Sequence, residues 1–248
     1  MGTAIIKQNP GIAVFDKDLN KLSRLKSKYK LRETRDIQQL AGNCAVIIIA
    51  VKPQDIDGLL EDMRPFINKQ LLISIAAGIT TKYIENKIGK AVRVVRVMPN
   101  IAAQVQSGIS ALAKGRFGLN KDVLIAEEIF RRMGKVVRVK EPYIDAFTAI
   151  AGSGPAYIFY FIECLSEAGK RLGFSEREAV NFVKEVVKGS IKLLEESSLT
   201  AKELRERVAS KGGTTEAALN VFKHWRLNEI VRKAVFAASQ RAKQLSRG

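Results

Sequence analysis

Apolar residues in the first half of the chain come in short unbroken runs, and in the second half they recur at helical spacing. Residues 45–51 read A-V-I-I-I-A-V, apolar at every position, which suits a strand covered on both faces in a parallel sheet. Residues 12–15 form a shorter apolar run, 71–75 repeats the pattern, and 92–97 reads as a further strand. The first of these runs is followed by a charged segment with Leu19, Leu22 and Leu25 at helical spacing, so strand then helix is the reading. The runs stop at turn-forming or small residues: Asp16, then Lys52-Pro53, then Ala76-Ala77-Gly78, then Met98-Pro99-Asn100. Two shorter runs, 109–113 and 136–139, flank a helix that starts near Asn120. Strands alternating with helices in this way predict an α/β domain with a doubly wound, Rossmann-like parallel sheet, whose ligands lie at the carboxyl ends of its strands.

From Pro142 onward the strand signal disappears. Residues 143–171, 175–194, 200–210 and 215–245 read as helix, and Ser175 with Glu178 and Thr200 with Glu203 form capping-box pairs. The first of these helices contains Gly152-Ser153-Gly154-Pro155, where the glycines permit close backbone approach and the proline is expected to kink the helix. Two domains follow, a dinucleotide-binding domain over 1–141 and an all-helical domain over 142–248. With no repeat or low-complexity linker, they should meet directly near residues 140–142.

Composition narrows the function classes. The 248 residues are 46% hydrophobic, so the chain has material for a sizeable core. Its longest apolar runs, 44–51 and 71–79, are too short to cross a bilayer, and its start lacks the pattern of a signal peptide, which predicts a cytoplasmic protein. Cys44 and Cys164 lie in apolar patterns without a C-x-x-C pair, and are expected to be buried reduced thiols. The single histidine, His224, stands beside Trp225 near a helix end, so no metal site is expected. The formal charge of +17 is spread over the whole chain, with a cluster at residues 17–32. Aromatics are sparse there and no nucleic-acid motif is present, so a basic face attracting anionic metabolites or cofactors is favoured over nucleic acid.

The sharpest candidate for chemistry is residues 210–219, S-K-G-G-T-T-E-A-A-L. Gly212 and Gly213 free the backbone to bend where Thr214 and Thr215 offer N-cap oxygens and Glu216 opens a helical run. Backbone N–H groups converging at such a helix start bind anions, and the spacing is not that of a nucleoside triphosphate loop. A small carboxylate is the favoured guest, with an ordinary helix-capping turn as the alternative. At the other end, Met1-Gly2-Thr3-Ala4-Ile5-Ile6 reads as the last residues of a G-x-G-x-x-G motif and its helix, without the strand and first two glycines. Asp16 is the residue type that accepts a ribose hydroxyl, while Lys17 and Lys21 suit a 2′-phosphate; a plain turn aspartate is the alternative.

Taken together, A-V-K-P-Q at 50–54, S-I-A-A-G-I-T at 74–80, R-V-M-P-N at 96–100, G-S-G-P-A-Y at 152–157 and the 210–219 loop closely resemble the pyrroline-5-carboxylate reductases, in order along the whole chain. The resemblance implies reduction of 1-pyrroline-5-carboxylate to L-proline with NADPH or NADH, in proline biosynthesis, and a homo-oligomer, a dimer or a ring of dimers paired through C-terminal helices. It implies that Met1, Gly2, Asp16 and Lys17 lie on the cofactor, that Ala50, Val51, Lys52 and Pro53 line it, that Ala76, Ala77 and Gly78 flank its nicotinamide, and that Met98, Pro99 and Asn100 form the floor beneath the ring. Ser210, Gly212, Gly213, Thr214 and Thr215 would hold the substrate carboxylate, contributed from the partner subunit, with Thr215 near the ring nitrogen as a candidate proton donor alongside a bound water. The pattern departs from the family at Lys211, at Ile101-Ala102 and at the first phosphate loop. An alternative expectation is therefore a truncated, catalytically impaired homologue that folds and dimerises through its helical domain. A further dehydrogenase with another substrate ranks last.

Overall fold

The two faces of the central sheet bury different residues. Leu72 and Val94 join one apolar cluster, whereas Leu71, Ile73 and Val95, one step along the same strands, join another. Successive side chains of a strand alternate between faces, so a run apolar at every position is one covered on both. The computed structural model describes residues 1–89 and 91–246. By contacts the chain forms two units, Met1–Pro155 together with the stretch from Ala237 onward, and Ala156–Phe236. The sequence reading divided the chain at 141/142; the contacts carry the first unit through Pro155 and add the end of the last helix to it.

The first unit begins with α1 (Gly2–Gln8), β1 (Ala13–Val14), α2 (Leu19–Lys28), β2 (Arg32–Glu33) and α3 (Ile37–Asn43). It continues through β3 (Val46–Ile49), α4 (Ile56–Met63), β4 (Leu71–Ser74), α5 (Thr81–Ile88) and β5 (Arg93–Pro99). Then come β6 (Gly108–Lys114), α6 (Asn120–Arg131), β7 (Gly134–Arg138) and α7 (Ile144–Phe147). Strands β3, β4 and β5 are parallel and in step, with Val46 opposite Leu71 and Leu71 opposite Arg93. Strand β6 runs antiparallel to β5, Pro99 facing Ser110, and β7 is parallel to β6. The sheet read from the sequence as parallel thus reverses at one junction. The link there is a single 3-10 turn, Ile101–Val105, and a parallel crossover needs a dozen residues or more. Strands β1 and β2 pair with each other in a separate parallel ladder.

Helices cover both faces, as a doubly wound fold requires. One cluster gathers Ile37 and Ala41 of α3, Leu60 and Met63 of α4, and Ile84 and Ile88 of α5. The other gathers Ala4 and Ile5 of α1 with Val123, Ala126 and Phe130 of α6. A third, smaller set places Ile144 of α7 against Ala111 and Ala113 of β6.

The helix expected over 143–171 is interrupted. Residues Glu141–Tyr143 form a 3-10 turn, α7 follows, and Thr148–Gly152 is a π-helical turn closed by the Ser153 N–H on the Thr148 carbonyl at 2.8 Å. Helix α8 (Gly154–Arg171) starts afresh, with Pro155 in its first turn. Pro155 has no N–H to give the Ala151 carbonyl, which takes the Asn100 side chain instead, so the π turn and the proline coincide at this irregularity.

The second unit takes most of α8, then α9 (Glu176–Glu196), α10 (Ala201–Val208), α11 (Thr214–His224) and most of α12 (Leu227–Leu245). Both capping boxes form, Ser175 with Glu178 and Thr200 with Glu203, and these bonds hold both glutamates below the usual carboxylate range. The helix expected over 215–245 is two helices. Arg226 adopts a left-handed φ of 50°, which breaks the run between His224 and Leu227. Inside this unit α8 and α9 approach closely: a side chain at Gly169 would come within 3.0 Å of the Ala179 Cβ. Beyond Ser166 and Ala179 the apolar residues stay accessible, among them Ile158, Phe159, Tyr160, Val186 and Ile191. Cys164 is exposed in this setting and Cys44 half-buried; both are free thiols, which corrects the expectation that both are buried. The apolar stripe that carries Cys164 has no covering layer within the unit. No helix among the described residues is long and apolar enough to cross a membrane.

Candidate active site

The parallel pairing of β3, β4 and β5 decides where their ends go. Ile49 pairs with Ser74 and Ser74 with Arg96, and the Ile75 N–H donates to the Ile49 carbonyl at 3.0 Å. The segments after these strands, Ala50-Val51-Lys52-Pro53, Ala76-Ala77-Gly78 and Met98-Pro99-Asn100, therefore leave the sheet along one edge. Gly2, at the start of α1, joins them: a Cβ there would lie 3.6 Å from the Ala50 Cβ. Phe15, just before Asp16, and Val51 pack on the same cluster, and Met1 packs on the opposite one. The structure thus gathers Met1, Gly2, Ala50 to Pro53, Ala76 to Gly78 and Met98 to Asn100 around the carboxyl ends of the strands. Gly2, Ala50 and Ala76-Ala77-Gly78 are small, which leaves backbone there open to a flat ligand.

Asp16 and the basic residues near it are engaged with one another. The Asp16 carboxylate pairs with Lys21 and accepts the Asp18 N–H at 3.0 Å, while Lys17 pairs with Asp62 at 3.0 Å. Both lysine ammoniums are exposed, so these pairs are weak and exchangeable. A ribose hydroxyl on Asp16 and a phosphate on Lys17 or Lys21 compete for groups already paired. The residues fit a dinucleotide along the strand ends, and the geometry of this corner leans to neither NADH nor NADPH.

Asn100 is tied at both ends of its amide. It accepts the Ile109 N–H at 3.3 Å and donates to the Ala151 carbonyl at 3.2 Å, bracing β5, β6 and the π turn together. Gly78 has a left-handed φ of 73°, and any Cβ on it would lie 2.6 Å from the Leu245 carbonyl oxygen. The end of α12 therefore rests on the loop read as flanking the nicotinamide. Beside it Arg96, only 3% exposed, stands 3.2 Å from Asp145 and 3.6 Å from Glu141. Sequence reasoning passed over this buried triad. The signal was a charged residue inside an otherwise apolar strand run.

The 210–215 loop belongs to the second unit. Gly212 is left-handed, with φ of 72°, and the Gly213 N–H donates to the Ser210 carbonyl at 3.0 Å. A side chain on Gly213 would collide with the Ser210 hydroxyl. These two glycines do close a tight turn into α11, as read. The N-cap of that helix, however, is Gly213, with no side-chain cap, and Thr214 and Thr215 stand inside its first turn. The expectation that their oxygens cap the helix is corrected: the bend completes one residue earlier. Their N–H groups are then among the helix-start donors without an intrahelical acceptor, which is what an anion site needs. Glu216 takes the Gly212 N–H at 2.7 Å, so one loop donor is held by the protein's own carboxylate. His224 ends α11 with its ring edge-on to Trp225 at 5.3 Å, and no cluster of metal-ligating groups exists among the described residues.

Comparison with known proteins covers both units. A family model described as pyrroline-5-carboxylate reductase dimerisation matches residues 141–245, and one described as NADP oxidoreductase, coenzyme F420-dependent, matches residues 1–78. The pyrroline-5-carboxylate reductase of Aquifex aeolicus is 36% identical over 210 residues, 85% of this chain and 78% of its own length. Pyrroline-5-carboxylate reductase 2 of Bacillus subtilis is 31% identical over 225 residues, 91% of this chain and 81% of its own. Among solved structures, a pyrroline-5-carboxylate reductase from Coxiella burnetii superposes with a TM-score of 0.91 at 36% identity, covering 100% of this chain and 95% of that one. The Plasmodium falciparum pyrroline carboxylate reductase with NADP bound gives 0.87 at 28% identity, with the same coverage. Matched in both units and over more than four-fifths of its length, this chain belongs to the pyrroline-5-carboxylate reductase family.

Proposed function

We propose that this protein transfers hydride from NADPH or NADH to the imine carbon of 1-pyrroline-5-carboxylate, giving L-proline in a cytoplasmic pathway of amino-acid biosynthesis. The observation that carries the reading is family membership across both units, with the strand ends at Ala50, Ala76 and Met98 on one sheet edge. Bound there, the nicotinamide supplies the hydride. The chain's own part is to orient and to shield. Ala76, Ala77 and Gly78 would lie beside the ring, and Met98, Pro99 and Asn100 would form its floor, Asn100 being held by its two amide bonds.

In the second unit, the N–H groups of Thr214 and Thr215 would receive the substrate carboxylate, with Ser210, Gly212 and Gly213 shaping the loop around it. An iminium is already electrophilic, so holding it against the hydride donor and excluding water replaces a strong acid–base pair. The Thr215 hydroxyl or a water it holds would manage the proton on the ring nitrogen. We further propose a homodimer, or a ring of dimers, through the helical unit. Its uncovered apolar residues support this, as does the dimerisation description of the matching model.

The test is a spectrophotometric assay at 340 nm, an absorbance peak of reduced nicotinamide, following loss of NADPH or NADH in the presence of pyrroline-5-carboxylate. Turnover dependent on the substrate and abolished by omitting it is expected. No turnover with either cofactor, from a folded and dimeric sample that binds NADPH, would favour the catalytically impaired homologue.

A further inference from the structure

The first unit carries a second concavity, at the other end of its sheet. Lys114 closes β6 opposite Val95, near the amino end of β5, whereas the candidate active site lies beyond Pro99. Between the first turns of α5, the 115–117 turn and Glu141 lies an open hollow of about 790 Å³. No step of the reductase reading uses it.

Its charges are arranged in two layers. At the floor is Glu85, 7% exposed, whose Oε1 accepts no hydrogen bond among the described residues. Burial pushes this carboxyl above the usual range, opposed by the backbone N–H groups of Arg116 and Phe117, and the nearby Glu141 charge pushes it further up. Glu141 itself is satisfied: it accepts the Thr81 N–H at 2.7 Å and the Thr81 hydroxyl at 2.6 Å. At the rim, among the described residues, stand three exposed cations, Lys82, Lys114 and Arg116. Lys114 reaches the Gly118 carbonyl at 3.4 Å, and Arg116 lies over the Phe117 ring at 5.4 Å.

A buried carboxyl with an unmet acceptor selects for a donor-rich cation, because an unsatisfied buried polar group costs free energy until it is paired. A bare cation, however, has to pass three positive side chains, and a bare anion meets the two glutamates below. Only a ligand carrying both charges satisfies both layers. We propose that this hollow binds an amino-acid zwitterion, its ammonium on Glu85 and its carboxylate on Lys82, Lys114 and Arg116. Oε1 is closed to solvent beside Gly115, so binding asks the Glu85 carboxyl to turn toward the opening. Gly115 leaves room for the carboxyl, since a side chain there would collide with Oε1.

Isothermal titration of the full chain with L-alanine and L-glutamate tests this, with propionate and ethylammonium as probes bearing one charge each. At least one amino acid is expected to bind with Kd below about 1 mM, and each one-charge probe at least about tenfold more weakly. Glu85→Gln and Arg116→Met should each weaken amino-acid binding about tenfold or more. Arg116 is on the rim, so its variant reports even where the Glu85 variant folds poorly. Thr215→Val, in the substrate loop, should leave this binding unchanged. Absence of binding by both amino acids, binding indifferent to Arg116→Met, or loss of binding in Thr215→Val would each overturn the proposal.

Discussion

Ser246 places its hydroxyl 3.2 and 3.1 Å from the two carboxylate oxygens of Asp145, and Asp145 in turn faces the buried guanidinium of Arg96 at 3.2 Å. A contact 101 residues apart in sequence thus fastens the last described turn to the sheet. Arg96→Met removes the cation shared by Asp145 and Glu141 and should cost about 3 kcal/mol of stability, the low end for breaking a buried pair because both carboxylates keep some exposure. Ser246→Ala removes one hydrogen bond to a charged group and should cost about 1 kcal/mol. Urea unfolding of the two variants beside the parent checks both numbers and their order.

Gly78→Ala is expected to destabilise by about 1–3 kcal/mol, since it forces a left-handed backbone on a residue with a Cβ and drives that Cβ into the Leu245 carbonyl. Ala77→Gly, one residue away and exposed, should cost less. A lowered melting temperature confined to the Gly78 variant is the expected pattern in thermal unfolding.

Thr215→Val removes a hydroxyl with little change of shape. If that hydroxyl meets the charged substrate, transition-state stabilisation should fall by about 1–3 kcal/mol, read as a loss in kcat/KM for pyrroline-5-carboxylate. Unchanged efficiency in active protein would show that Thr215 makes no such contact.

Two buried glutamates should move stability with pH in opposite directions. Glu85 has a raised carboxyl, so the folded state holds its proton more tightly than the unfolded chain. Its contribution is fully present below the ordinary carboxylate value, 4.5, and is lost as pH rises through the elevated one. Glu127 is held low by its hydrogen bond to Arg138, so its contribution is present above 4.5 and is lost as pH falls through the depressed value. Relative to the parent, Glu85→Gln should therefore gain stability as pH rises above 4.5, and Glu127→Gln should lose it as pH rises toward 4.5 from below. Denaturant unfolding on both sides of that value reads both signs in one experiment.

The sheet was legible because its runs are apolar on both faces, and the caps at Ser175 and Thr200 because each is written in four residues. The reversal between β5 and β6 was not, since it depends on how few residues Ile101–Val105 supplies and not on their type. The break at Arg226 was equally hidden, because a non-glycine residue with positive φ leaves no compositional mark. In the candidate site the small residues at the strand ends and the glycines at 212 and 213 announced themselves. The helix start shifted from Thr214 to Gly213 because a glycine turn can finish without a side-chain cap. The exposure of Cys164 escaped because periodicity reports that a helix has an apolar face and not whether one chain covers it.

That uncovered face has a kinetic meaning. With Ser166 and Ala179 as the residues it buries, the stretch Ala156–Phe236 has too little interior to hold its helices together by itself. With the proposed dimer as the cover for that face, its folding becomes a second-order event, in which helices formed within one chain are kept on meeting those of another. Renaturation of the protein should accelerate as its concentration is raised, until the chance of an unproductive encounter between the same sticky surfaces overtakes the productive one.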